Sequence, residues 1–248
     1  MASDTPWTLW LVYLQVFLVA IMLLALVGHK LAWLPFSVAF YGFGLSVLLI
    51  VLVGVVALLA LLVSLVTGST AWRGFAAAAL LIGLIPPALI VTLVGPGNFS
   101  VPPIHDISTD LENPPEFIAA HAHRKAGENS LTHAGESLAR SQQQAYSDIR
   151  PILTMLSPEL AFARSLETTE ELGWVLLTSV QAEGRIEAYD ETTFFGFKDD
   201  VVIRITPAEN GSQIDLRSAS RVGRSDLGAN AARIRRFRQH FLENEGVK

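Results

Sequence analysis

The chain has no cysteine among its 248 residues. That excludes disulfides, thiolate metal centres, iron–sulfur clusters and cysteine nucleophiles. It leaves the compartment open, because an exported protein can fold without disulfides. Charge is also missing from most of the first hundred residues. No Asp, Glu, Lys or Arg lies between Lys30 and Arg73, and none between Arg73 and Asp106. A chain that is 51% hydrophobic, with mean hydropathy +0.41 and its charge confined to one half, is a membrane anchor joined to a water-facing domain. The charged part starts near Asn98 and is long enough for one domain with its own core.

Three apolar stretches in the first half are each long enough to cross a hydrocarbon core of about 30 Å. Trp7–Val27 is the first. It lacks a basic leading region and is followed by a second span, so it reads as a helix rather than a cleaved signal. Trp7, Trp10 and Trp33 suit the two interfacial belts. The second span lies within Phe36–Val66, long enough to require tilt or an interfacial start, with Gly42, Ser46 and Gly54 as points of close helix approach. The third, Trp72–Val94, holds Pro86-Pro87, which should kink it. No span places an ionisable residue at mid-depth, where pumps and proton relays need one. The expected role of residues 1–97 is anchoring or oligomerisation. Lys30 and Arg73 balance one against one across the bilayer, so charge alone leaves the topology tied.

Residues 98–248 form the expected soluble domain. Residues 96–150 show no strong period and read as an extended segment with short helical turns. Ser157-Pro158-Glu159 is a helix start: an N-cap, a first-turn proline and a first-turn acid. Leu160, Ala163, Leu166 and Leu172 would form the buried stripe. Strands are expected at Trp174–Val180, Arg185–Phe194, Val201–Ile205 and Gln213–Ser220, with Asn210-Gly211 as a hairpin turn. A last helix, Asp226–Glu243, places Leu227, Ala231, Ile234, Phe237 or Arg238, and Phe241 on one side. The expected fold is a two-layer α+β domain with a mainly antiparallel sheet.

Several segments resemble a known family. Val101–Asp110, Pro114–Phe117, Phe195–Asp200 and the long Arg217–Asn230 motif together are similar to the domain-of-unknown-function family number 1499, over about residues 98–245. The resemblance implies a bacterial or plastid protein, membrane-attached. It favours an inner-membrane anchor with the domain outside the cytoplasm, and breaks the charge tie. Many members carry a cysteine where this chain has His105-Asp106, so no role of that cysteine transfers. The resemblance supplies no reaction.

The densest constellation is Arg217, Ser218, Ser220, Arg221, Arg224, Asp226 and Asn230, where a strand meets a helix start. Free backbone N–H groups, hydroxyls and guanidinium forks there suit an anion such as a lipid headgroup. The competing reading is structural. Asp226 or Ser225 caps the helix, Gly223 turns the chain, and Arg217 or Arg221 pairs with Asp199 or Asp200. Secondary candidates are His105, Asp106, Asp110, Asp199 and Asp200. Neighbouring strand residues point to opposite faces, so Asp199 and Asp200 should not share a proton or a metal. His121, His123 and His133 fit no zinc spacing, and no metal or cofactor is expected. No nucleophile elbow, P-loop or dinucleotide fingerprint occurs.

Two functions remain open at this point. One is a binding module for a lipid, an amphiphile or a membrane or periplasmic partner protein, with a homo-oligomer allowed. The other is an enzyme of unknown reaction using the Asp199/Asp200, Arg217/Arg221 and Asp226 region. An apolar groove rimmed by arginine would favour the first, and a polar cleft the second. Nucleic acid is not an expected partner, because the domain is acidic and lacks an aromatic stacking platform.

Overall fold

A computed structural model describes residues 6–193 and 195–243. Phe194 and the outer ends of the expected anchor and domain lie outside the described residues. The chain divides into a helical unit, up to Phe99, and an α+β unit built from Ser100–Thr193 and from Phe197 onward.

The helical unit is three helices, α1 (Thr8–Lys30), α2 (Phe36–Thr67) and α3 (Thr70–Val94). All three are long and apolar enough to cross a membrane. The 32 residues of α2 span about 48 Å at the α-helical rise. α2 ends at Gly68, whose φ of 72° is the left-handed conformation that stops a helix. The helix α3 is continuous through Pro86-Pro87. Small side chains meet inside the bundle: Ala39, Ser46, Gly54, Ala57, Ala60 and Ser64 of α2, and Ala76, Ala79 and Gly83 of α3. Without a hydrophobic drive between helices in lipid, such close approach is what holds them. The one amide in α1, Gln15, is fully buried and donates from Nε2 to the Ile50 carbonyl at 3.1 Å. A side chain at Gly83 would collide with that Nε2, so the glycine makes the space.

The α+β unit is built on a six-stranded antiparallel sheet. Its strands are β1 (Asp106–Ser108), β2 (Ile152–Thr154), β3 (Val175–Val180), β4 (Arg185–Glu191), β5 (Lys198–Ala208) and β6 (Gly211–Ser220), in the order β1-β6-β5-β4-β3. β2 shares the outer edge of β6 with β1: β1 pairs at residues 217–219 and β2 at residues 212–214. The β5–β6 turn is Glu209-Asn210, one residue earlier than the expected Asn210-Gly211. Gly211 already pairs with Ala208, and its φ of 135° brings the chain against Thr154 and Met155, where no Cβ fits.

Helices α5 (Pro158–Glu171) and α6 (Ala229–Glu243) cover one face of the sheet, over Ile186, Ala188, Val201, Ile203, Ile214 and Leu216. The Ser157 hydroxyl accepts from the Leu160 N–H and caps α5 as expected. Leu166 and Leu172 pack against the core as expected, but the fully buried stripe of α5 is shifted. It is Ala161, Phe162, Ser165, Thr168 and Thr169, while Leu160 and Ala163 face solvent. Small residues let the helix sit close, and the Thr169 hydroxyl is satisfied by the Ser165 carbonyl. On α6, Ala231, Ile234, Phe237 and Phe241 are buried as expected. Leu227 lies before the helix at φ 50° and is partly exposed. Residues 109–135 form a strap across the other face of the sheet, with Phe117, Ala120 and Leu131 against Val202 and Ala219. A polar helix, α4 (Glu136–Ala145), comes after the strap. Its buried Gln142 takes the Ser108 N–H on Oε1 and donates Nε2 to the Ser108 carbonyl, closing the β1 edge as a strand would.

Candidate functional site

The Arg217–Asn230 motif spans the end of β6 and the start of α6, and alternation along β6 splits it between the two faces of the sheet. Ser218 and Ser220 point to the α6 side. There Arg233, 1% exposed, donates to Asp199 at 2.6 Å, Asp190 at 2.9 Å, the Ser218 hydroxyl and Asn230 Oδ1. Burial opposes its charge, but Asp199 and Asp190 outweigh that and raise the Arg233 pKa. Asn230 Nδ2 donates to Ser220 Oγ and the His105 carbonyl. Arg233 was not among the expected site residues, because the sequence of α6 marks it only by its apolar stripe.

Arg217 and Arg221 point to the strap side. Arg217 holds Asp106 through two parallel bonds of 2.9 and 2.7 Å, and donates to the Pro115 and Leu131 carbonyls. Its guanidinium stands 5.0 Å from the Phe117 ring centroid. Asp200 is gripped by Arg221 and Arg124, each at 2.7 Å. Arg221 also donates to the His123 carbonyl, and Arg124 to the carbonyls of Asn129, Ala219 and Ser220. Burial lowers the Arg124 pKa, with Asp200 opposing. Buried Glu187 accepts the N–H groups of Ile118, Ala119 and Ala120 in the strap. Asp110 joins Asp215 around Arg204.

These side chains bind the strap and α6 to the sheet. Arg217 and Arg221 donate to the protein's own carboxylates and carbonyls, so an incoming anion would have to displace a buried ion pair. At the helix start, Asp226 fills the place expected of an anion: it accepts the N–H groups of Gly228 and Asn230. Burial raises its pKa, and those N–H bonds oppose the shift. Gly223 turns the chain at φ 89°. Arg224 alone of the motif's arginines is exposed. Asp199 and Asp200 lie on opposite faces with different arginines, as strand alternation requires. Ser108 and Ser220 bond to the Asp110 carbonyl and to Asn230. Among the described residues no three His, Asp or Glu side chains gather as a metal-ligand set.

Residues 106–241 match the model of a protein family of unknown function, DUF1499. The chain belongs to the DUF1499 family. No curated protein matches it. In this DUF1499 chain two open concave surfaces lie beside the motif. One is a groove of ≈ 330 Å³ between α6 and the stretch before β2, lined by Asp148, Ile149, Arg150, Ile234, Arg235, Arg238, Gln239 and Leu242. Arg235 is tied to Asp148 by bonds of 2.6 and 2.7 Å. The Arg235 hydrogen bond holds the Asp148 carboxyl below its ordinary value, although burial opposes this. Arg150 and Arg238 are exposed at the rim. The second surface is a cleft of ≈ 290 Å³, lined by His105, Asp106, Asn129, Ser130, Thr132 and apolar residues including Ile104 and Leu138. His133 adjoins it: Nδ1 accepts the Gly135 N–H, and Nε2 is buried without a partner. Burial lowers the His133 pKa, Asp106 opposes and Arg217 adds to the effect.

Proposed function

We propose that this protein is a membrane-anchored binding module. Its α+β domain stands outside the cytoplasm on a bacterial inner membrane and takes a lipid, an amphiphile or a partner protein. The observation that carries this reading is the contrast between two sets of arginines. Arg217, Arg221 and Arg233 are consumed by buried carboxylates. Arg150 and Arg238 make no close ion pair among the described residues and line a groove with Ile149, Ile234 and Leu242, the geometry of a site for a ligand part apolar and part anionic. The three helices serve as anchor, and a homo-oligomer through them fits their small-residue faces.

The test is native mass spectrometry, with lipid identification, on the full-length protein. Adducts of one lipid class, lost when Arg150 and Arg238 are both changed to alanine, support the reading. A bare protein that retains a co-purifying protein partner instead moves the function to partner recognition.

A second reading, an enzyme, draws on the cleft at His105 and Asp106 and on the unpartnered Nε2 of His133 beside it. Turnover abolished by His133→Asn, in a fold that stays intact, would select it.

A further inference from the structure

Three arginines and one aspartate line the α6 groove, leaving two positive charges uncompensated by the lining. Among the described residues Asp148 is the only carboxylate lining it, and both its oxygens are turned to Arg235. Arg235 is further fixed over the Tyr146 ring, 5.7 Å from its centroid. The ion pair therefore forms one wall, already neutral. The remaining cations are Arg150, hydrogen-bonded through Nε to the Ser147 carbonyl, and Arg238, which feels Asp148 electrostatically but makes no hydrogen bond or close ion pair among the described residues. Two arginines lining one small groove match an acceptor with several oxygens and a double negative charge. A carboxylate or a phosphodiester carries one charge and leaves one cation unanswered. A phosphomonoester carries about −1.5 to −2 at neutral pH. The apolar lining adds a second requirement: Leu242 is 40% exposed, whereas Ile149 and Ile234 are buried. A free phosphate ester would leave this apolar surface wet.

Building on the proposal that the groove holds an amphiphile, we infer that it takes a phosphomonoester bearing an apolar chain. Arg150 and Arg238 hold the phosphate, and the exposed Leu242 lies under the chain. Such a headgroup has its second ionisation near pH 6, so affinity falls as the pH drops through that value.

The experiment is calorimetric titration of the full-length protein in phosphatidylcholine nanodiscs. The probes are dihexanoyl phosphatidic acid, dihexanoyl phosphatidylcholine, glycerol 3-phosphate and octanoate. Saturable binding of the phosphatidic acid, weaker by about tenfold or more in both Arg238→Ala and Arg150→Ala, with no binding of the phosphatidylcholine, is expected. Both arginines are exposed, and unchanged thermal midpoints verify the fold of each variant. Equal affinity for glycerol 3-phosphate overturns the need for an apolar chain. Octanoate binding as tightly, with the same arginine dependence, overturns the phosphate and leaves the amphiphile groove standing. Absence of binding by every probe, or binding indifferent to both substitutions, overturns the inference and the groove reading together.

Discussion

Asp199 and Asp200 are neighbours in β5, yet they serve opposite faces of the sheet. Asp199 fixes α6 through Arg233, and Asp200 fixes the strap through Arg124 and Arg221. Two consecutive carboxylates thus join three layers: helix, sheet and irregular chain.

Breaking either clamp leaves buried cations unpaired. Asp200→Asn strands two guanidinium groups, one of them 9% exposed and the other 8%. The expected loss is about 3–5 kcal/mol, seen as a fall in the apparent melting midpoint of the full-length protein. Asp148→Asn, which strands only the half-exposed Arg235, should change the midpoint little.

Arg217→Lys keeps the charge but loses the planar fork that reaches Asp106, Pro115 and Leu131 at once. The strap should loosen before the sheet unfolds. Limited proteolysis should then cut within residues 109–135 of the variant, under conditions where the native strap resists.

His133 gives the domain an acid sensitivity. Its folded pKa is lowered, chiefly by burial, from an ordinary value of 6.5. The unfolded chain then binds the proton first, so stability is full above 6.5 and declines as pH falls through that value. His133→Asn keeps an acceptor for the Gly135 N–H without a titrating group. Melting curves from pH 8 to pH 5 should fall less steeply for the variant than for the native protein.

In the helical unit, Gly83→Ala should push Gln15 from the Ile50 carbonyl, because the added methyl occupies the place of its amide. A buried hydrogen bond between membrane helices is worth about 0.6–2 kcal/mol. Gln15→Ala added to Gly83→Ala should restore part of the midpoint, by removing the clash.

Much of this architecture was legible in the sequence because it is repetitive. Three uncharged runs and a hairpin-rich alternating stretch leave little choice of fold class, and Ser157-Pro158 marks a helix start in almost any context. The pairing of Arg221 with Asp200 stood among the structural alternatives. Asp106 as the partner of Arg217 did not, since it lies 111 residues away and no local period connects them. β1 and β2, three residues each, are too short to show alternation. The expected α5 stripe holds at Leu166 and Leu172, which pack against the core, and fails at Leu160 and Ala163, because close packing on the sheet selects Ala161, Ser165 and Thr169. The α6 groove was invisible for a related reason. Arg150 and Arg238 come to one groove only after the chain has passed through β2 to β6.

The central claim is that the motif arginines hold the fold while those on the groove hold a ligand. Arg217→Ala and Arg238→Ala, compared in one experiment, test it most directly: the melting midpoint and the bound lipid of each full-length variant are measured together. Arg238→Ala should keep the native midpoint and lose the bound lipid, and Arg217→Ala should lose the midpoint. Native lipid occupancy in Arg238→Ala, or a stable Arg217→Ala that has shed its lipid, would contradict the claim.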